Sequence, residues 1–146
     1  MTQSERGVQA SFGLASTHPR PLRVLVADDE HDTVQSLLML LRTEGFEAKG
    51  VYRGVQVLDS LRTFDPDFVL VDIAMPDLSG FDVARAVREV CGVGRPKLIA
   101  ISGRFKRGAD RILSGLAGFN HHLGKPYDAQ ALLGLLSLEK AAGTQI

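Results

Sequence analysis

The sequence predicts an α/β domain built on a parallel sheet with helices on both faces, and three observations predict it. Strand signals recur five times, and those ending at Ala27 and Asp72 are apolar runs of the kind that strands buried on both faces make. Each is followed by apolar residues at helical spacing, the alternation expected of βαβ units with right-handed crossovers. Four of the five runs stop at a polar group: Asp28 and Asp29 after the first, Asp72 after the third, Ser102 after the fourth and Lys125 after the fifth.

At 146 residues the chain is most simply one domain with a real hydrophobic core, and no internal repeat or second core appears. We place that domain at 21–142, between an N-terminal tail, 1–20, and a short C-terminal tail, 143–146. The first tail is rich in Ser, Thr, Gly and Gln and closes with Pro19 and Pro21, which predicts a flexible segment. It lacks the apolar centre of an export signal, although Arg6, Arg20 and a single acid also suit an organelle-targeting segment. Lys plus Arg and Asp plus Glu number 17 each, and this neutrality argues against nucleic acid or an anionic membrane as the main partner. The longest pure apolar run, Leu37 to Leu41, is too short to cross a bilayer, so a cytoplasmic protein without membrane insertion is expected. Cys91 is the one cysteine, which excludes an intrachain disulfide and a cysteine metal cluster and reads as a small residue near a helix end.

The elements follow in order from Leu22, where Leu-Arg-Val-Leu-Val-Ala forms a buried strand ending at Asp28-Asp29-Glu30. Val34, Leu37, Leu38 and Leu41 share one helical face, with Gly45 as the stop. Glu47 to Val51 is a short strand, and Val55 to Phe64 a second helix with Val55, Leu58 and Leu61 inward. Phe68-Val-Leu-Val-Asp72 is the central strand, after which Pro76 and Gly80 turn the chain. Phe81 to Val90 is a third helix with Val83, Val87 and Val90 among its apolar positions, and Lys97 to Ile101 a fourth strand. A fourth helix is expected from about Ala109 to Ala117, weakened at its end by Gly115 and Gly118. Phe119 to Leu123 is the fifth strand, and a last helix from about Asp128 to Ala142 carries Leu132, Leu133, Leu135, Leu136 and Leu138, with Asp128 as N-cap.

Taken alone, Asp72 is either a strand-ending residue that caps the next turn or a group placed in the crevice where open α/β sheets bind ligands. The other strand exits bear on that choice, because in a parallel sheet all C-terminal ends lie on one edge. Carboxylates gathered there would repel and raise one another's pKa unless a cation held them, and few hard oxygen ligands with room for water suit Mg²⁺. A cation keeps Asp72 ionised as a nucleophile and bridges to a phosphoryl oxygen, while Lys125 and the Ser102 hydroxyl neutralise the remaining oxygens. The parts suit phosphorylation of Asp72.

Val-Leu-Val-Ala-Asp-Asp-Glu, Asp-Phe-Val-Leu-Val-Asp-Ile-Ala-Met-Pro-Asp-Leu-Ser-Gly, Leu-Ile-Ala-Ile-Ser-Gly and Leu-Gly-Lys-Pro-Tyr resemble, in order and spacing, the receiver domain of two-component response regulators. Each motif is weak alone; together they are specific, and they cover the chain from about residue 21 to the end of the last helix. The resemblance implies a three-layer, doubly wound (βα)5 flavodoxin-like fold with strand order 2-1-3-4-5. It implies Asp72 as phosphoacceptor from a phosphohistidine on a sensor histidine kinase or a histidine phosphotransfer protein. It implies Mg²⁺ binding by Asp29 and Asp72 directly, by Asp28 partly through water, and by the Ala74 backbone carbonyl. It also implies contact of Lys125 with the phosphoryl group and a cis bond between Lys125 and Pro126. Such a domain is a signalling module, not an enzyme, promoting only its own phosphorylation and dephosphorylation.

Signalling in this family uses Ser102 and an aromatic residue on the fifth strand. The matching residue is His122, where Tyr or Phe is commoner, and an imidazole that titrates near neutral pH predicts pH-sensitive activation. His121 and His122 point to opposite faces of a strand, which argues against a metal pair. Ala74 and Arg104 match positions bordering the approach of hydrolytic water. The fourth helix, fifth strand and fifth helix would form the surface for a downstream protein target, with Arg104, Lys106, Arg107 and Arg111 giving its leading edge a basic tone. Basic residues at a helix N-terminus oppose the macrodipole, which favours a partner that neutralises them. With no output domain expected after the last helix, the chain would act by protein contact, shuttle phosphate in a relay, or be cut from a larger protein.

A flavodoxin proper would need a phosphate-cradling loop where Asp28-Asp29-Glu30 would repel the FMN phosphate. A haloacid-dehalogenase-like phosphohydrolase would need a second Asp at the position of Ala74 and a cap domain. An interaction module indifferent to phosphate would usually lack one of the acids or the lysine, and this chain has all of them.

Overall fold

The computed structural model describes residues 20–103, 115 and 117–144. Most of the expected fourth helix, at 104–114 and 116, with the basic residues Arg104, Lys106, Arg107 and Arg111, and the tail up to residue 19 lie outside the described residues.

Five strands form a single parallel sheet in the order β2-β1-β3-β4-β5: β1 Arg23–Ala27, β2 Glu47–Val51, β3 Phe68–Asp72, β4 Lys97–Ser102 and β5 His121–Gly124. The order follows from burial. β1, β3 and β4 are apolar on both sides and occupy the centre, whereas β2, with exposed Glu47, and half-buried β5 take the edges. The register pairs Val24 with Phe68, Phe68 with Lys97 and Ile99 with His121, so the strand exits are level along one edge.

Side-chain alternation splits the core into two layers. Val24, Val26, Phe68, Leu70, Ile99 and Ile101 face α1 (His31–Thr43) and the C-terminal helix (Ala129–Thr144), where Val34, Leu37, Leu38, Leu41, Leu132 and Leu136 meet them. Leu25, Ala27, Val69, Val71, Leu98 and Ala100 face α2 (Gly54–Thr63) and α3 (Gly80–Cys91), meeting Val57, Val83, Ala84 and Val87. Each fully buried Leu or Val contributes about 1.5–3 kcal/mol of transfer free energy.

α1 turns the predicted face inward and ends at Glu44, with Gly45 at φ +94° reversing the chain, a conformation natural to glycine. The C-terminal helix starts where Asp128 Oδ1 accepts from Gln130 N at 3.1 Å, as a capping Asp does. Among its described side chains Leu132 and Leu136 are buried, and Leu138 is 65% exposed.

Two local expectations are corrected, at Val55 and at the start of β5. α2 turns Val57 fully inward with Leu58 and Leu61 half-buried, leaving Val55 42% exposed. Its rotation is set by Gly54, where a Cβ would lie 2.8 Å from Leu78 Cβ and 3.0 Å from Val83 Cγ2. Val83 and Val87 of α3 are buried, while Val90, at its end, is 73% exposed and lines a groove of about 360 Å³ with residues of α2. β5 begins at His121, not Phe119. Phe119 packs edge-on against Phe81 at 6.5 Å, and Asn120 pairs with Leu98 by side chain and backbone, each at 2.8 Å, before the ladder starts.

Candidate functional site

The level strand exits bring four predicted residues together. Asp28 and Asp29 leave β1, Asp72 is the last residue of β3, and each offers one carboxylate oxygen within 4.8 Å of the others. Lys125 follows β5, and its Nζ donates to Asp28 Oδ2 at 3.0 Å and lies 3.5 Å from Asp72 Oδ2 and 3.7 Å from Glu30 Oε1. The peptide bond from Lys125 to Pro126 is cis.

Backbone groups hold the acids in place. Asp28 Oδ1 accepts from Glu30 N at 3.0 Å, an Asx turn that starts α1, and Asp72 Oδ1 accepts from Ala74 N at 3.0 Å. The chain leaving β3 stays on the sheet for one more bond, Ile73 N to Ile101 O at 3.0 Å, and Lys125 N bonds Ser102 O at 3.0 Å. Asp28 and Asp72 are buried and Asp29 is exposed, so the cluster opens on one side only.

Electrostatics follow from that burial. Desolvation, reinforced by the Asp28 charge, pushes the Asp72 carboxyl above its ordinary value although the Ala74 amide and Lys125 pull the other way. Burial draws Lys125 down, but its hydrogen bond to Asp28 and the charges of Asp72, Asp28 and Glu30 outweigh it, and the net shift is upward. Lys125 is therefore a permanent cation among acids. Three carboxylates with one half-buried ammonium beside them and an open side make an oxygen-rich donor set that could hold a divalent ion.

Ser102 is buried at the end of β4, one residue beyond Ile101, the register partner of Asp72. His122 is half-buried and pairs with Ala100, two residues before Ser102, so His122 and Ser102 belong to the same face of the sheet. His121 faces the other way, where its Nε2 lies 2.8 Å from Glu139 Oε2 on the C-terminal helix. Ala74 is exposed beside Asp72, and Arg104 lies outside the described residues. A groove of about 670 Å³ adjoins the cluster, between the start of α1 and the loop after β5, with Glu30, Thr33, Lys125 and Tyr127 among its lining.

One residue of this region escaped the sequence reading. Asp77, in the loop after β3, accepts from Gly54 N at 2.8 Å and Val55 N at 3.0 Å. Its signal was indirect: Arg53, before the helix, has no acceptor with which to cap it.

Comparison with known proteins agrees with this arrangement. The model of the response regulator receiver domain matches residues 24–137. The DNA-binding response regulator MtrA of Mycobacterium tuberculosis H37Rv is 32% identical over 111 residues, which are 76% of this chain and 47% of that protein. The sensory transduction protein RegX3 of Mycolicibacterium smegmatis is 33% identical over 110 residues, 75% of this chain and 46% of that protein. The chain thus spans about half the length of the curated relatives it matches. Among solved structures, the CheY-like receiver domain protein of Methanospirillum hungatei JF-1 superposes with a TM-score of 0.77 at 21% identity, covering 86% of this chain and 98% of that one. The signal receiver domain from Bermanella marisrubri superposes with a TM-score of 0.71 at 30% identity, covering 79% and 94%. With the matching model spanning every strand from β1 to β5 and both the acids and the lysine at one sheet edge, this chain belongs to the response regulator receiver domain family of two-component systems.

Proposed function

We propose that this receiver takes a phosphoryl group on Asp72 from a phosphohistidine of a sensor histidine kinase or a histidine phosphotransfer protein. The observation that carries the reading is the meeting of Asp28, Asp29, Asp72 and Lys125 at one edge. In the reaction an Asp72 carboxylate oxygen attacks phosphorus, the phosphorus–nitrogen bond breaks, and the donor imidazole leaves as an acyl phosphate forms on Asp72. Mg²⁺, held by Asp28, Asp29, Asp72 and the Ala74 carbonyl, would supply charge neutralisation for the transferred group. Burial and Asp28 raise Asp72, and the Lys125 charge together with a bound cation would favour its ionised form. Lys125, already within 3.5 Å of Asp72, neutralises a phosphoryl oxygen, and Ser102 donates to another. The groove beside Lys125 gives the donor protein an approach that does not cross the sheet.

Phosphorylation then moves Ser102 toward the new group, with His122 on the same face turning inward behind it. The resulting change is read by a downstream protein on the surface expected of the fourth helix, β5 and the C-terminal helix. The domain is a signalling module in the cytoplasm that promotes only its own phosphorylation and dephosphorylation, with Ala74 and Arg104 bordering the path of hydrolytic water. The domain runs from 21 to 142 between two tails. MtrA is a DNA-binding protein by name, and Caulobacter CtrA a transcriptional regulator. For this chain, with 17 acids against 17 bases, the partners proposed are proteins.

The test is incubation with acetyl phosphate, with and without Mg²⁺, comparing the parent with Asp72→Asn by intact mass. One phosphoryl group that requires both Mg²⁺ and Asp72 is the expected result. A folded protein that gains no adduct under rapid trapping would instead be an interaction module indifferent to phosphate.

A further inference from the structure

Helix α2 lacks a cap of its own. Its N-cap residue, Arg53, makes no side-chain cap hydrogen bond, and Gln56 Oε1 is turned back to the amides of Tyr52 at 2.9 Å and Arg53 at 3.1 Å. The first two amides of the helix are met by a residue 22–23 positions further on, with Gly54 N donating to Asp77 Oδ1 at 2.8 Å and Val55 N to Oδ2 at 3.0 Å. Both carboxylate oxygens are engaged, the side chain is 13% exposed, and its charge lies at the positive end of the helix dipole.

Asp77 sits in the middle of the loop that leaves Asp72 and carries Ala74. The ends of that loop are held by Ile73 N to Ile101 O at 3.0 Å and Gly80 N to Ile73 O at 2.8 Å, and Met75 is buried within it. The turn is closed tightly: a Cβ on Gly80 would lie 2.7 Å from Ile73 Cα and 3.1 Å from the Asp72 carbonyl oxygen. Displacement of the loop centre would therefore be transmitted to Asp72, since neither end has room to absorb it.

We propose that Asp77 is a positioning residue for the acidic site: by clamping the loop after β3 to the first turn of α2, it holds Ala74 and Asp72 in the arrangement that binds a divalent cation. The proposal rests on the reading of Asp28, Asp29 and Asp72 as a cation site. The rival role is a cap that stabilises α2 and nothing else. A local cap separates the two, because Arg53→Ser gives α2 an N-cap hydroxyl without reconnecting the loop.

The experiment uses the full chain, without a phosphoryl donor. Mg²⁺ affinity is read from amide chemical shifts of the ¹⁵N-labelled protein, and stability from the urea midpoint in EDTA, for the parent, Asp77→Ala, and Asp77→Ala with Arg53→Ser. Asp77→Ala is expected to bind Mg²⁺ about tenfold more weakly, the usual scale for a group that orients a metal ligand, and to unfold at lower urea. Adding Arg53→Ser is expected to restore the urea midpoint and leave the Mg²⁺ affinity weakened. Unchanged affinity in Asp77→Ala, or affinity that recovers together with the midpoint, overturns the proposal. If Asp77→Ala does not fold, Asp77→Asn, which keeps one acceptor oxygen, carries the same comparison. A parent that binds no Mg²⁺ overturns the cation-site reading and this inference with it, whereas a parent and variants that bind equally well overturn this inference alone.

Discussion

Lys125 donates to Asp28 at 3.0 Å across 97 residues of chain, joining the exit of the edge strand β5 to that of β1 over the end of β3. The ammonium lies among Asp28, Asp72 and Glu30, and its removal leaves two buried acids with less compensation. Lys125→Met is expected to cost about 1–2 kcal/mol, the lower part of the range for charged hydrogen bonds because the lysine is partly solvated. Millimolar Mg²⁺ should recover part of that loss, since a divalent ion can replace the missing cation. Urea titrations in EDTA and in Mg²⁺ measure both effects, and a loss that Mg²⁺ leaves untouched would count against shared compensation.

Asp72→Asn should make the protein more stable at neutral pH. Burial and the Asp28 charge raise the Asp72 carboxyl above 3.8, so over the window upward from 3.8 the native state binds more protons than the unfolded chain. The contribution of Asp72 to stability therefore falls as pH rises through its folded pKa. Asparagine does not titrate, and the urea midpoint of Asp72→Asn should draw ahead of the parent as pH rises from 4 toward neutrality, about where a carboxyl of raised pKa titrates. A constant difference across that range would show that Asp72 ionisation carries no such penalty.

At the opposite edge of the sheet, Asp67 has the reverse sign. Burial pushes its carboxyl up, but the Arg23 amide at 2.8 Å and the guanidinium groups of Arg95 and Arg20 outweigh it, holding it below 3.8. That stability is present above 3.8 and lost as pH falls through the depressed folded value. Asp67→Ala should destabilise the protein by about 1–3 kcal/mol at neutral pH, the scale of a buried amide and a guanidinium left without their acceptor. Acetyl phosphate labelling of Asp72 should be unchanged under native conditions, because the two aspartates lie at opposite ends of β3; slower labelling would mean that the lower edge reaches the site.

His122 lies on the same sheet face as Ser102, the residue proposed to move on phosphorylation. Binding of the phosphorylated protein to a downstream target should depend on pH wherever the His122 imidazole changes charge. His122→Tyr should flatten that profile while Asp72 labelling persists. An unchanged profile in His122→Tyr would place the titrating group elsewhere.

The elements that the sequence showed most clearly are those whose residues interact nearly alike in any packing. Phe68 to Asp72 is apolar for four residues and ends in an acid, and it is a strand with those bounds. Val34, Leu37, Leu38 and Leu41 define one helical stripe, and that stripe is buried. The convergence of Asp28, Asp72 and Lys125 was likewise legible, since a parallel sheet places all strand exits on one edge whatever the helices do.

By itself, then, the sequence determined the alternation of strands and helices, the sheet they form and the acids and lysine at its exits, because period, apolar run length and chain direction are local properties. Only the tertiary structure decided which way α2 rolls, where β5 begins and what caps α2. Gly54 against Leu78, Asn120 against Leu98 and Asp77 against Gly54 join residues 22–24 positions apart. Such pairs are chosen by close packing and by hydrogen-bond satisfaction between neighbouring elements, and neither leaves a period in the chain.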